Sequence, residues 1–154
     1  MKNLKQKLII EQLDSKFELL HKIDKLTIPT EGWVYSIRTA MKMSLRQLGN
    51  KVGITAQSIK EIEQREKAKT ISLKTLNDVA IALDMKFVYG FIPKEKSIEE
   101  IIEKRAYEIA EKIVMRTSNT MQLEAQENSK TRIQKAIKNR AEEIKREMPK
   151  YLWD

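Results

Sequence analysis

Cysteine and histidine are almost missing from this 154-residue sequence, which has no Cys and a single His, His21. Without cysteine the chain forms neither disulfides nor thiolate metal sites. A zinc centre also lacks ligands when there is no histidine cluster. No glycine-rich loop of the kind that cradles phosphates is present. We therefore expect no metal, no cofactor and no enzymatic activity.

Glycine and proline are scarce too, with four and three residues, and long apolar runs are missing. The shortage of helix-breaking residues favours long helices. No apolar run approaches the roughly 20 residues of a membrane span. The basic N-terminus leads into an amphipathic segment rather than a signal peptide. These absences predict a soluble, cytoplasmic protein that does not enter a membrane.

Positive charge is in excess and unevenly distributed. The net charge is +8 and the pI is about 9.6. Residues 1–93 hold 16 Lys and Arg against 10 Asp and Glu, whereas residues 94–154 hold 14 against 12. The surplus of +6 in the first part exceeds the +2 in the second, so the first part is expected to meet an anionic partner.

Residues 45–64 carry the pattern of a helix-turn-helix, in which two helices cross over a turn of about 3–4 residues. Gly49 lies where the two helices are expected to touch, and Gly53 lies in the turn, where positive φ is free of strain. Ser44 and Thr55 are the predicted N-caps. The apolar positions are Leu48, Val52, Ile54, Ile59 and Ile62. The second helix of such a motif enters the DNA major groove.

The flanking sequence predicts further helices from its spacing of apolar residues. They fall at residues 4–22, at 33–41, after the cap Ser72, after Ser97 in a capping-box pattern with Glu100, and at about 130–148. The terminal Trp153 is expected to be packed. The predicted fold is all-α, a phage-repressor-like bundle with one short β-strand and additional N- and C-terminal helices. The predicted regions are 1–32 (N-terminal helix and linker), 33–93 (DNA-binding domain with the strand) and 94–154 (helices for dimerisation or partner binding).

The predicted strand is the aromatic and β-branched run Phe87–Ile92, which Pro93 ends. One strand cannot satisfy its own backbone groups. Its partner is therefore either the stretch Leu26–Ile28 or the same strand of a second subunit. The second option is favoured slightly because it also builds a dimer, although the C-terminal helices remain an alternative dimer interface.

The face of the second motif helix that points away from Ile59 and Ile62 is the predicted base-reading surface. Gln57 is the strongest candidate, because its amide can bond adenine N6 and N7 together. The predicted base readers are Ala56, Gln57, Lys60, Glu61 and Gln64. Phosphate contacts are expected from helix starts and flanking cations. These candidates are Ser44, Arg46, Gln47, Thr55, Ser58, Lys67, Lys69 and Lys74.

Residues 33–92 resemble a Cro/phage-repressor-type (XRE) domain. The matching stretches are Ile37-Arg38, Met43-Ser44, Leu48-Gly49, Val52-Gly53-Ile54-Thr55, Ile59, Ile62-Glu63 and Leu73-Lys74-Thr75-Leu76. The resemblance implies that Arg38 and Glu63 form a structural ion pair. Leu45 and Arg65 depart from the pattern, which usually has Gln and Gly there. These departures question a phosphate contact at the first helix start and predict a longer second helix.

The whole chain resembles the bacterial family called mobile mystery protein A. This resemblance rests on Glu11-Gln12-Leu13-Asp14, Gly32-Trp33, Met43 to Gly49, Val88-Tyr89 before Pro93, and Leu152-Trp153-Asp154. Leu45 is normal in that family. The resemblance implies an association with mobile elements and a paired gene for a protein with a Fic-type domain. It also implies a bacterial protein, nucleoid-associated when bound to DNA.

Two functions therefore compete. The leading hypothesis is a sequence-specific repressor of its own operon, which binds a palindromic operator in double-stranded DNA as a homodimer. The alternative is an antitoxin-type protein that binds and neutralises a Fic-domain toxin through the N-terminal helix and residues 97–154. The two functions are compatible in one protein.

Overall fold

The computed structural model describes residues 2–119 and 128–154, and within them all regular secondary structure is helical. This confirms the predicted all-α class but not its one short strand. The helices are α1 Lys2–His21, α2 Trp33–Ala40, α3 Leu45–Val52, α4 Ala56–Lys67, α5 Leu73–Ala82, α6 Ile98–Asn119 and α7 Asn128–Glu147, followed by a 3₁₀ helix at Lys150–Trp153. Among the described residues, no helix combines the length and apolar character that crossing a membrane requires.

The chain divides into two compact units. The central unit is Lys25–Gly90 and contains α2 to α5. The helical unit combines Met1–Asp24 with Phe91–Asp154 and contains α1, α6, α7 and the 3₁₀ helix. The two flanking regions that the sequence analysis separated therefore belong to one unit, and the central unit is inserted between them in the sequence.

The core of the central unit consists of large aliphatic side chains from all four of its helices. Leu48 of α3 and Ile59 of α4 are fully buried, and Val79 of α5 is almost so. Val34, Ile62 and Leu83 complete the cluster. Burial of each such side chain contributes about 1.5–3 kcal/mol. Because α2 to α5 are only 8 to 12 residues long, this shared core holds helices that are marginal alone.

Three helices of the central unit end in the same way. After α2, α4 and α5 the chain takes a left-handed residue, at Lys42, Lys69 and Asp84, with φ of 53°, 60° and 57°. In each case the following N–H bonds the carbonyl five residues back, as Met43 does to Arg38 at 2.9 Å. These are Schellman motifs, which usually place glycine at the left-handed position. The shortage of glycine therefore leaves lysine and aspartate in strained positions.

The helical unit is built around α6 and α7. Lys145 near the end of α7 pairs with Glu99 near the start of α6 at 3.1 Å, so the two helices run antiparallel. Ala106 and Ala110 are fully buried between Ile102, Ile137 and Ile144. Small side chains at these positions allow the two helices to approach closely.

Helix α1 is fastened to α6 by a carboxylate. Asp14 accepts the backbone N–H of Ile98 at 2.7 Å and that of Glu99 at 3.4 Å, so it caps the first turn of α6. Ser97 caps the same turn by accepting from Glu100 N at 3.1 Å, as its sequence pattern predicts. The Glu100 carboxylate accepts from Lys96 rather than from Ser97. Polar contacts thus fix where α1 lies on this unit.

Two predictions are corrected. Residues 87–92 form no strand within the single chain, and no backbone hydrogen bond joins them to residues 26–28, so the predicted pairing with that stretch is wrong. At the C-terminus, Leu152 is fully buried while Trp153 stays 58% exposed. Arg105 explains this, because it bonds the Leu152 carbonyl at 2.7 Å and so sets which side chain turns inward.

Candidate nucleic-acid interface

Helices α3 and α4 are joined by Gly53, Ile54 and Thr55, a turn of the expected length. Gly53 caps α3 in the left-handed conformation, with φ 88° and ψ 30°. Gly49 has a different role, because a Cβ there would lie 2.6 Å from the Ile54 carbonyl oxygen. Of the two predicted glycines, Gly53 therefore provides the left-handed backbone conformation, and Gly49 allows the close approach of the turn to α3.

The first turn of α3 is closed by a capping box. Ser44 Oγ accepts from Gln47 N at 3.1 Å, and Gln47 Oε1 accepts from Ser44 N at 2.8 Å. Both residues were predicted to contact phosphate, and both are exposed. The Ser-x-x-Gln spacing was the available signal for this pairing. The box holds the Gln47 side chain at the start of α3, where its amide oxygen accepts the Ser44 N–H.

Helix α4 begins at a second N-cap, and it has one buried face and one exposed face. Thr55 Oγ1 accepts from Ser58 N at 3.1 Å, and the two hydroxyls lie 2.9 Å apart. Ile59 and Ile62 are buried in the core, together with Glu63. Of the predicted base readers, Ala56 is half-buried and the others are exposed, and the predicted phosphate contact Ser58 is half-buried. These exposed residues are Gln57, Lys60, Glu61 and Gln64. The spacing of one helical turn places them on one side of α4.

A buried ion pair fixes α4 to α2. Arg38 donates Nε–H and Nη2–H to the two oxygens of Glu63, the second at 3.2 Å, and Nη1–H to the Met43 carbonyl at 2.9 Å. The bond to Glu63 raises the pKa of Arg38 above its usual value, and the guanidinium also lies over the Tyr35 ring. The pair is thus a brace between helices and points away from the exposed face of α4.

A second brace was missed by the sequence analysis. Glu66 at the end of α4 accepts the N–H groups of Trp33 at 2.6 Å and Val34 at 3.0 Å, and so caps α2, whose N-cap residue is Gly32. A Cβ on Gly32 would lie 2.8 Å from the Glu66 carboxyl carbon. Gly32 has no side chain to cap the helix, which is the one local signal for a distant cap.

The predicted phosphate-contacting cations lie in different settings. Arg46 and Lys69 are exposed on the first turn of α3 and just beyond α4. Lys67 pairs with Glu31 at 2.8 Å, and Lys74 pairs with Asp78 at 3.1 Å. Such exposed pairs are weak, about 0.2–1 kcal/mol, so a phosphate can replace the carboxylate partner.

The two sequence departures have structural explanations. Leu45 is half-buried and packs on the central core, which accounts for an apolar residue at this position. Arg65 continues α4, which runs on to Lys67 before Ala68 ends it. The longer helix carries Glu66 into position to cap α2.

Comparisons with known proteins agree with this geometry. Residues 36–87 match the family described as the Cro/C1-type HTH DNA-binding domain. Neither curated proteins nor solved structures give a significant match to the chain. The matched range contains both capped helices, the turn glycines and the Arg38–Glu63 brace. Residues 36–87 are a Cro/C1-type helix-turn-helix DNA-binding domain.

Proposed function

We propose that this protein is a sequence-specific transcriptional repressor that binds a palindromic operator in double-stranded DNA as a homodimer and controls its own operon. The observation that carries the proposal is the exposed polar face of α4, where Gln57, Lys60 and Gln64 lie one helical turn apart. The buried face of the same helix is fixed to α2 and α3. A rigid helix with an unengaged polar face is suited to a major groove.

Three exposed residues of α4 have distinct proposed roles. Gln57 in the first turn bonds an adenine through its amide. Lys60 reaches a guanine or a phosphate, and Glu61 accepts from a cytosine amino group or repels phosphate. The capped starts of α3 and α4 offer backbone N–H groups and hydroxyls to phosphates. The central unit supports this reading electrostatically, because it holds 11 Lys and Arg against 6 Asp and Glu, a net +5 of the total +8.

The proposal sets a geometric requirement for DNA. A two-fold dimer places its two reading helices about 34–36 Å apart, which is one turn of B-DNA, and so requires two half-sites with that spacing. The proposal gives the chain no catalytic role and locates it in the cytoplasm on DNA. The resemblance to mobile mystery protein A supports a bacterial operon on a mobile element as the context.

The test is fluorescence anisotropy on DNA from upstream of the gene, compared with a shuffled duplex of equal length, across a salt series. Non-specific binding falls steeply with salt for any basic protein, so the difference between the duplexes is the informative quantity. We expect a preference of about 10³ or more. Gln57→Ala should reduce this preference by about 1–3 kcal/mol, while Gln134→Ala on α7 serves as the matched control. Equal affinities for both duplexes at every salt concentration would contradict the proposal.

A second candidate function is that of an antitoxin that binds a Fic-domain partner. The observation that favours it is an exposed apolar stripe on α1. Leu4, Leu8 and Leu19 share one side of the helix and are 64%, 50% and 64% exposed. Ile10 and Asp14 on the other side pack against the helical unit. Exposed apolar stripes of this kind are suited to binding another protein.

Co-purification with the Fic-domain product of the neighbouring gene tests this second function. Leu8→Glu with Leu19→Glu should abolish co-purification, because two charges would be placed on the proposed contact. Gln57→Ala should leave it intact. Retention of the partner by the Leu8→Glu/Leu19→Glu variant would remove α1 from the proposal.

A further inference from the structure

The segment Met85–Pro93, which leaves α5 and precedes α6, presents apolar side chains and unpaired backbone together. Val88, Tyr89 and Phe91 are 68%, 72% and 82% exposed. None of the backbone hydrogen bonds outside the helices involves residues 86–93. The rings of Phe87 and Tyr89 stack with centroids 6.0 Å apart, as side chains two residues apart do on one face of an extended chain. This segment has the properties of an edge strand without a neighbour.

We infer that residues 85–93 pair with the same residues of a second copy of this chain, as a two-stranded antiparallel ribbon centred on Tyr89. The inference deepens the proposed function, since the two-fold dimer belongs to that proposal, but the pairing itself does not involve DNA. A second copy is the occupant because the segment complements itself in both charge and side-chain type.

The register follows from that self-complementarity. With Tyr89 opposite Tyr89 of the second copy, Phe87 faces Phe91, and Asp84 lies near Lys94 at the ends of the ribbon. Aromatic pairs and opposite charges directly across two strands are both favourable, whereas like charges are not. Since side chains alternate between faces, the centre of a symmetric ribbon must fall on a residue, and the nearest alternatives to Tyr89 are Val88 and Gly90.

Both shifted registers are worse. A centre at Gly90 places Lys86 opposite Lys94 of the second copy, which brings like charges together. A centre at Val88 places Pro93 opposite Leu83, and Leu83 is buried as the C-cap of α5, where it cannot join a strand. The Tyr89-centred register avoids both conflicts.

Proline fixes the hydrogen-bond pattern in the chosen register. Residues facing each other in an antiparallel pair alternate between hydrogen-bonded and non-hydrogen-bonded positions. If Tyr89 occupies a non-hydrogen-bonded position, then so does Pro93, four residues on, and its missing N–H is not required between the strands. Val88 then occupies a hydrogen-bonded position and must donate its N–H. Two strands alone are marginal, so we expect a dimer that depends on protein concentration.

The absence of native cysteine allows a direct test by disulfide cross-linking of the full-length chain without DNA. Facing residues at a non-hydrogen-bonded position have Cα atoms about 4.5 Å apart, within the range of about 4.4–6.8 Å that a disulfide requires. Single-cysteine variants Val88→Cys, Tyr89→Cys and Gly90→Cys are oxidised in a glutathione buffer. Lys86→Cys, which is exposed but far from its counterpart in the ribbon, gives the background.

We expect Tyr89→Cys to form a covalent dimer at least tenfold faster than Lys86→Cys, and the other two variants to stay near that background. Preferential cross-linking at Val88 or Gly90 would overturn the register. Background rates at all three positions would overturn the ribbon, and would direct attention to residues 26–28 or to the C-terminal helices.

Sedimentation velocity on variants without cysteine provides the second readout. Val88→Pro removes the required N–H and should make the chain monomeric at concentrations where the unmodified chain is dimeric. Val88→Thr keeps the N–H and a β-branched side chain, and should remain dimeric. A dimeric Val88→Pro variant would contradict the ribbon. Because neither experiment contains DNA, their failure would leave the DNA preference to be judged separately.

Discussion

The central and helical units hold their helices together by different means. Helices of 8 to 12 residues form the central unit, and helices of 20 to 22 residues form the helical unit. A short helix has a large share of its N–H and C=O groups at unsatisfied ends. Accordingly, each helix of the central unit has a side-chain cap at its start. The helical unit relies more on packing along the α6–α7 contact.

This difference has a functional consequence for the central unit. Capping and bracing contacts position α4 without using its exposed face. Glu63 and Glu66 point toward α2, while Gln57 and Lys60 remain exposed. Substitutions on the bracing side should therefore change the stability of the unit. Substitutions on the exposed side should change DNA binding alone.

The largest effect is expected from the Arg38–Glu63 brace. Glu63→Ala leaves the Arg38 guanidinium in a largely buried position without its partner, which should cost the central unit about 3–5 kcal/mol. The double variant Arg38→Met/Glu63→Leu should recover most of this loss, because it removes both charges. Urea unfolding followed by Trp33 fluorescence in a Trp153→Phe background reports on the central unit. An equal loss in the single and double variants would show that packing, rather than charge, is responsible.

The second-largest loss of stability is expected for Gly49→Ala. The new Cβ would meet the Ile54 carbonyl oxygen at 2.6 Å, so the turn must shift, at a cost of about 1–3 kcal/mol. Gly53→Ala is the informative companion, since its Cβ meets open space and only the positive φ of 88° is strained. That strain costs about 1–2 kcal/mol. Because the shifted turn carries Thr55, Gly49→Ala should also weaken operator binding in the anisotropy assay more than Gly53→Ala. Equal effects of both variants on operator binding would refute the close-approach argument.

The third prediction compares two carboxylates that cap a helix from another part of the chain. Glu66 caps the eight-residue α2, and Asp14 caps the 22-residue α6. Hydrogen bonds to a charged group contribute about 1.5–3 kcal/mol. Glu66→Ala should lower the free energy of unfolding of the central unit by the upper part of this range. Asp14→Ala should lower that of the helical unit by the lower part, because the hydrogen bond from the Glu99 N–H to Asp14 is long, at 3.4 Å. Trp33 and Trp153, each as the single tryptophan, report on the two units during unfolding.

These contacts also mark how far the sequence could be interpreted. The caps Ser44, Thr55 and Ser72 and the turn at Gly53 were predicted because a local pattern of three to ten residues determines each of them. The Glu66 cap joins residues 33 positions apart. The local pattern, an N-cap glycine without a side chain, indicates that α2 lacks a local cap but not which residue supplies one. The strand at residues 87–92 had the right composition, but pairing depends on a partner outside the chain's own local sequence.

The left-handed helix ends were missed for a different reason. Glycine is the usual signal for a Schellman motif, and Lys42, Lys69 and Asp84 give no such signal. The exposed residues of α4 could be selected from the helical period alone, since Ile59 and Ile62 fix which face is buried. Their individual roles on DNA depend on docking geometry, which no single chain specifies.

The smallest effect is expected at these helix ends, and it should differ in sign between the units. Lys69→Gly relieves a left-handed conformation with φ 60° and should stabilise the central unit by about 1 kcal/mol. Met148, with φ 45°, ends α7 in the same conformation, but its side chain packs on the helical core. Met148→Gly should therefore destabilise its unit slightly, because the lost packing of this half-buried side chain outweighs the relieved strain.

Lys69→Gly also separates stability from DNA contact within the central unit. If Lys69 contacts a phosphate, its removal should lower the slope of log affinity against log salt by about 1, while the unfolding midpoint rises. Lys42→Gly is the matched control, since it relieves an equivalent strain at φ 53° and removes a positive charge at a residue that is not among the predicted phosphate contacts. An unchanged salt slope in Lys69→Gly would remove Lys69 from the phosphate contacts. A lower unfolding midpoint in Lys69→Gly would show that packing of the Lys69 side chain outweighs the relieved strain. The end of α4 would then be stabilised by side-chain packing as well as by backbone conformation.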